Sequence, residues 1–153
     1  MPQVFINKEI SKIMNNEKLD FPLNMAMSSA WIAGNLKGVN LKILNMSKES
    51  SLSDYYVLAS ANNPTQAKSM AETIMRQMRN YNHSPISTEG FNNCEWILLD
   101  FGDIMIHIFL EATRGIFDLD SLWRDAPLIE IPQEYYYTDS GEDRDNKDDK
   151  GYF

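Results

Sequence analysis

With 153 residues, 43% of them hydrophobic and 24% charged, the chain has the size and make-up of one soluble globular domain that can bury a core without disulfides or metals. A net charge of −8 argues against direct binding to a phosphate backbone and suits a basic protein partner instead. The lone cysteine, Cys94, excludes an internal disulfide and fits a reducing cytoplasm; the distant His83 and His107 add no zinc-ligand spacing, and no apolar run approaches the roughly 20 residues of a membrane span.

Residues 1–22 read as an N-terminal extension. The stretch MPQVFINKEISKIMNNEK mixes charge into its apolar residues and lacks the uninterrupted apolar core of a secretory signal. Within it, NKEISKIMN predicts a short helix, with Ile6, Ile10 and Ile13 at helical spacing to dock on a core. The compact domain is expected over residues 23–128. LNMAMSSAWIAGNLK predicts a helix whose Leu23, Met27, Ala30, Trp31 and Gly34 keep to one side. Residues 41–46 predict a strand, SKESS a polar turn, and residues 55–59 a second strand, continuous in apolar character and therefore central.

Next comes a helix with its start written in side chains. Asn63 caps it, Pro64 takes the first helical position, and Gln66 reaches back to complete a capping box. Ala67, Met70, Ala71, Ile74, Met78 and Tyr81 form one apolar stripe, with Lys68, Glu72 and Arg76 on the other side. The Met-rich stripe reads as core packing. Residues 80–84 are a loop, and Ile86 sits in a short strand that ends at Gly90. The apolar runs 96–101 and 104–109 are separated only by Gly102 and Asp103, which predicts a two-residue hairpin. A final helix is expected over about 112–123. Residues 129–153 read as an acidic tail, with no apolar residue between Tyr137 and Tyr152 and disorder expected. A strand, a crossover helix and a further strand require a parallel pairing, so the fold class is α/β with a mixed sheet flanked by helices.

Alternation places Trp96, Leu98 and Asp100 on one face of their strand and Ile97, Leu99 and Phe101 on the other. Both sets are largely apolar. A sheet covered on both faces explains that pattern. So does a sheet with part of one face open, where a tryptophan beside a leucine and a carboxylate makes an apolar anchor with a polar rim. His107 alternates with apolar neighbours and reads as a core or edge histidine, since local spacing aims no acid or nucleophile at it. Asp118-Leu119-Asp120 has the form of a Mg²⁺-binding pair, which brings a metal-dependent nucleotidyl or phosphoryl transferase using Asp118, Asp120 and His107 into consideration. In a helix, however, i and i+2 point about 200° apart and chelate poorly. A homodimeric adaptor, with the Trp96 face pairing on itself, is a further reading.

The segments LSDYYVLASANNPTQAKSMAE and TEGFNNCEWILLDFGDIMIHIFLEATRGIFDLDSLWRDAP resemble the ribosomal silencing factor, or Iojap-related, family. They carry its Asp-Tyr-aromatic-Val strand, its Asn-x-x-Gln helix start and its Glu-Gly. The Trp-hydrophobic-x-hydrophobic-Asp-aromatic-Gly-Asp hairpin, the His-Ile-Phe strand end and the Leu-x-x-Leu-Trp helix end follow. The match runs from about Ala30 to Pro127, and Trp96 to Phe109 is its specific part. Lys37-Gly38-Val39-Asn40, Ser60-Ala61-Asn62, Gly115 and Ile116 depart from the family pattern. The resemblance implies an α/β/α fold, related in architecture to nucleotidyl transferases but without their catalysis and without a cofactor. It implies binding to ribosomal protein fourteen of the large subunit, which blocks joining to the small subunit and lowers translation. By position, Trp96, Asp100 and Phe101 match the family's partner-binding strand. Alternation and cross-strand adjacency add Leu98 and Met105.

Overall fold

Strand and helix periodicities in this chain resolve into a sheet with very unequal cover on its two faces. The computed structural model describes residues 3–136. The elements are α1 (Gln3–Met14), α2 (Leu23–Asn35), β1 (Val39–Asn45), β2 (Tyr55–Ala61), α3 (Pro64–Arg79), β3 (Ser87–Glu89), β4 (Trp96–Asp100), β5 (Ile104–Leu110), α4 (Glu111–Phe117), α5 (Leu119–Leu122) and β6 (Leu128–Ile129), then a 3₁₀ turn over Gln133–Tyr135. The six strands lie in the order β3-β4-β5-β2-β1-β6. β2 and β5 run parallel, and every other neighbouring pair is antiparallel. The α3 crossover accounts for the parallel pair, because antiparallel neighbours need only a short turn. The sheet is therefore mixed and flanked by helices.

One face carries Ile43, Val57, Ala59, Ile97, Leu99, Ile104, Ile106 and Ile108, all buried beneath α2 and α3 in the main core. The apolar stripe of α3 supplies Met70, Ile74 and Met78 to it. The start of α3 is built as its sequence dictates: Asn63 Oδ1 accepts from the Gln66 amide at 2.8 Å. The return bond differs in one respect. Gln66 Oε1 accepts from the amide of Asn62, one residue ahead of the cap, at 2.8 Å.

α2 is buried from Met25 through Asn35 on every side. It can be so because it is sandwiched. The sheet covers one side, and α1 and the 3₁₀ turn cover the other. Ile6, Ile10 and Ile13 of α1 are the buried stripe that its spacing predicts. The packed chain also continues past Leu128, into the first residues of the expected tail. Ile129 pairs with Ile43, Ile131 is buried, and Tyr135 packs on the core. The apolar residues at 129, 131 and 135 are enough to hold this strap down. The acidic stretch beyond it lies outside the described residues.

The helix expected over 112–123 is broken in two. Asp118 adopts a left-handed conformation (φ 56°, ψ 41°), ending α4 and starting α5. Such a single left-handed residue closes a helix, as it does in a C-terminal cap.

Two glycines in helices test this packing in opposite directions. A Cβ on Gly34 would collide with the Tyr135 carbonyl oxygen, whereas one on Gly115 would meet nothing within 4 Å. Helix propensity alone favours alanine at both sites by about 1 kcal/mol. Urea unfolding of Gly115→Ala is expected to show a gain of up to that amount. Gly34→Ala is expected to lose about 1–3 kcal/mol, because the collision outweighs propensity, and limited proteolysis should find residues 131–136 released.

Candidate protein-docking face

The β4–β5 hairpin positions the candidate site. Gly102 (φ +87°) takes the first central position of the two-residue turn, a conformation that needs no Cβ. The Phe101 amide donates to the Ile104 carbonyl at 3.0 Å, and the Gly102 amide donates to Asp100 Oδ1 at 2.8 Å. The tip is tied to the β1–β2 loop, where Ser53 Oγ donates to the Gly102 carbonyl and the Asp54 amide to the Asp103 carbonyl. This turn sets the register: Trp96 faces Phe109, Leu98 faces His107, and Asp100 faces Met105. On the far side of β5, Tyr56 lies beside Met105 and Leu58 beside His107. All of these share the face opposite α2 and α3.

That face is covered only in part. Leu44, Leu58, Phe109, Leu119 and Ala126 form a small second core beneath α5 and the residues after it. Trp96, Leu98, Asp100 and Met105 are left half-buried. The Trp96 ring leans on Phe109 (5.4 Å between centroids) and on Phe117 of α4 (4.8 Å). Its Nε1–H donates to His107 Nδ1 at 3.1 Å. Trp96 is thus neither bare nor sealed: one edge is fixed inward and part of the ring stays open. On the outer side, Ser87 and Glu89 of the edge strand β3 pair with Asp100 and Leu98 and are exposed. The result is an apolar patch of Trp96, Leu98 and Met105, bordered by carboxylates.

Of the residues expected to bind a partner, Trp96, Leu98, Asp100 and Met105 come together. Phe101 does not: it is 8% exposed and belongs to the helix-covered core. The pleat alternates, so Phe101 follows Ile97 and Leu99 inward. His107 and Phe117 also belong to the patch, beyond the residues that the resemblance and alternation supply. A two-residue turn at Gly102-Asp103 already implies the register that brings His107 near Trp96, whereas Phe117 reaches the patch through the placement of α4 against β4, which no local pattern fixes.

Desolvation is the only cause that shifts His107, lowering its pKa from 6.5 to about 4, so the imidazole is neutral near pH 7. Tyr56, whose ring lies 4.8 Å away, has its phenol pushed up by burial and by the Asp100 charge. Of the Asp118-Leu119-Asp120 pair, Asp120 is engaged elsewhere. Asp120 receives Arg114 Nε and Nη2 at 3.0 Å each and Lys42 Nζ at 2.7 Å. The Arg114 bonds, aided by Lys42, hold its carboxyl well below the usual range. Arg114 Nη1 also donates to the Asn40 carbonyl and to Ser60 Oγ, and the guanidinium lies 5.8 Å from the Phe109 ring. The cleft of about 310 Å³ beside this clamp is lined by Asn40, Lys42, Glu111, Arg114, Gly115 and Asp120.

Fold and face define an α/β/α domain with a six-stranded mixed sheet, open over part of one side. The model of the family described as "Ribosomal silencing factor during starvation" matches residues 22–151, and the chain belongs to that family. Over 118 residues it is 26% identical to the ribosomal silencing factor RsfS of Halalkalibacterium halodurans, covering 77% of this chain and 96% of the relative. Over 88 residues it is 32% identical to RsfS of Bacillus subtilis, covering 58% and 75%. A crystal structure of a protein from Chromobacterium violaceum superposes with a TM-score of 0.60 at 26% identity, over 76% of this chain and 85% of that one.

The buried imidazole makes stability depend on pH. A folded-state pKa near 4 against 6.5 unfolded means the unfolded chain takes up the proton first. Stability should be unaffected by this group above pH 6.5 and fall by up to about 3 kcal/mol as pH drops from there to 4. Urea titrations of wild type and His107→Asn across that range isolate the contribution; the variant is expected to lack it.

Proposed function

We propose that this chain is a translational repressor that docks on the large ribosomal subunit through its ribosomal protein fourteen and blocks joining of the small subunit. The observation that carries the reading is the half-covered patch of Trp96, Leu98 and Met105 beside Asp100. A partly desolvated tryptophan with apolar neighbours and a charged rim has the anatomy of a protein-binding hot spot. Family membership supplies the setting. A protein of net charge −8 gains nothing from the RNA of a subunit surface, so an exposed basic ribosomal protein is its natural target. Inhibition then requires no chemistry: the bound domain occupies volume that the second subunit needs. The commitment of Asp120 to Arg114 and Lys42 favours this over phosphoryl transfer, which would need that carboxylate free to hold a metal. Such a protein acts in the cytoplasm, where subunits join.

Co-sedimentation with purified large subunits tests the site. Trp96→Ala is expected to weaken binding by about 30-fold or more, the loss typical of an aromatic hot spot. Asp100→Asn keeps the acceptor that holds the turn and removes only the charge; it should weaken binding by a few-fold, most clearly at low salt. A correctly folded Trp96→Ala protein that still pellets with large subunits at the wild-type level would rule the face out.

A further inference from the structure

Among the side chains beneath the docking face, His107 is the one whose chemistry packing alone does not require. It sits mid-strand in β5 opposite Leu98 and is 4% exposed. A leucine or phenylalanine would fill such a position with no polar group to desolvate. Its Nδ1 accepts the Trp96 Nε1–H at 3.1 Å. A neutral imidazole accepting at Nδ1 carries its own proton at Nε2. That atom is buried and has no hydrogen-bond partner among the described residues. The site therefore tolerates an unpaired donor on one nitrogen while using the other. The ring is itself held, with Tyr56 at 4.8 Å and Phe109 at 6.2 Å between centroids. The indole bond runs diagonally across the strand pair, since Trp96 faces Phe109 and His107 faces Leu98.

We infer that His107 is the positioning residue of the docking face: it draws the Trp96 indole N–H inward, fixes the orientation of the ring, and leaves the open part of that ring to the partner as a surface without a hydrogen-bond donor. This rests on the reading of the Trp96 face as the ribosome-docking site. It also narrows what can meet the ring. An indole has a single donor, and here that donor is engaged inside the protein. Aliphatic stems and Lys or Arg cations can still pack on the ring, the cations through its π electrons, whereas a carbonyl or carboxylate finds no N–H to bind. The partner element that fits is therefore a cationic side chain with its apolar stem, consistent with the carboxylates at the border of the patch.

The test uses the full-length, ¹⁵N-labelled chain and purified large subunits. The Trp96 indole N–H signal, assigned by its loss in Trp96→Phe, is expected to exchange slowly with solvent in the wild type. In His107→Leu it should exchange at least about tenfold faster, and affinity for large subunits should fall about tenfold, the effect of losing one well-placed hydrogen bond. His107→Asn, whose amide oxygen can stand in for Nδ1, should restore slow exchange and bring affinity back to within about threefold. The Trp96→Phe/His107→Leu double variant should bind no more weakly than Trp96→Phe alone, since both changes remove the same bond. Wild-type exchange or affinity in a folded His107→Leu protein, or a further loss in the double variant, overturns the positioning role. If Trp96→Ala also binds like wild type, the docking reading itself fails; if Trp96→Ala is defective while His107→Leu is normal, only the inference about His107 falls.

Discussion

The bond from the Phe101 amide to the Ile104 carbonyl closes a two-residue turn, the Gly102 amide braces it on the Asp100 carboxylate, and that turn governs the register of the whole β4–β5 hairpin. Side chains alternate with a period of two, so a slip by one residue would send Trp96, Leu98 and Asp100 to the helix side and Ile97 and Leu99 to the open side. Nothing about the open face survives such a change. The tip is accordingly braced from a second direction, by Ser53 and Asp54 of the neighbouring loop. Asp100 thus has one oxygen committed to architecture while its charge remains at the edge of the patch.

A second constraint lies at the other end of the same face. Arg114 is almost fully buried, a position a guanidinium can hold only when its donors are met. They are met by Asp120, the Asn40 carbonyl and Ser60, which together join α4, α5, β1 and β2. The left-handed turn at Asp118 is what swings Asp120 back toward the arginine. Phe117, the last residue of α4 before that turn, packs against Trp96. The clamp and the aromatic patch thus meet at α4, which carries both Arg114 and Phe117.

Much of this was legible from residue order. The α3 start at Asn63-Pro64, its methionine stripe, the continuous apolar strands and the Gly102-Asp103 turn each follow from local chemistry, and each appears in the structure where the chain places it. The faces of β4 were equally readable, and strict alternation would have moved Phe101 away from the site on its own. Three features were not readable. The break at Asp118 goes with bonds from Arg114 to Asp120, six residues on, and to the Asn40 carbonyl, distant in sequence, which no local pattern encodes. The strap over 129–136 carries Ile129, Ile131, Tyr135 and Tyr136, but it packs on β1 and α2, far away in sequence, and runs straight into an acidic tail. Whether the Trp96 face was open depended on how far α4 and α5 extend across the sheet, a matter of tertiary placement.

α1 and the 3₁₀ turn over Gln133–Tyr135 both rest on α2, on the reverse of the sheet from Trp96. The two ends of the described chain consequently lie on the molecule's back. A fluorophore or surface tether on an exposed α1 position such as Lys8 would therefore sit behind the sheet from Trp96, so the protein can be immobilised or tracked there while its front stays clear.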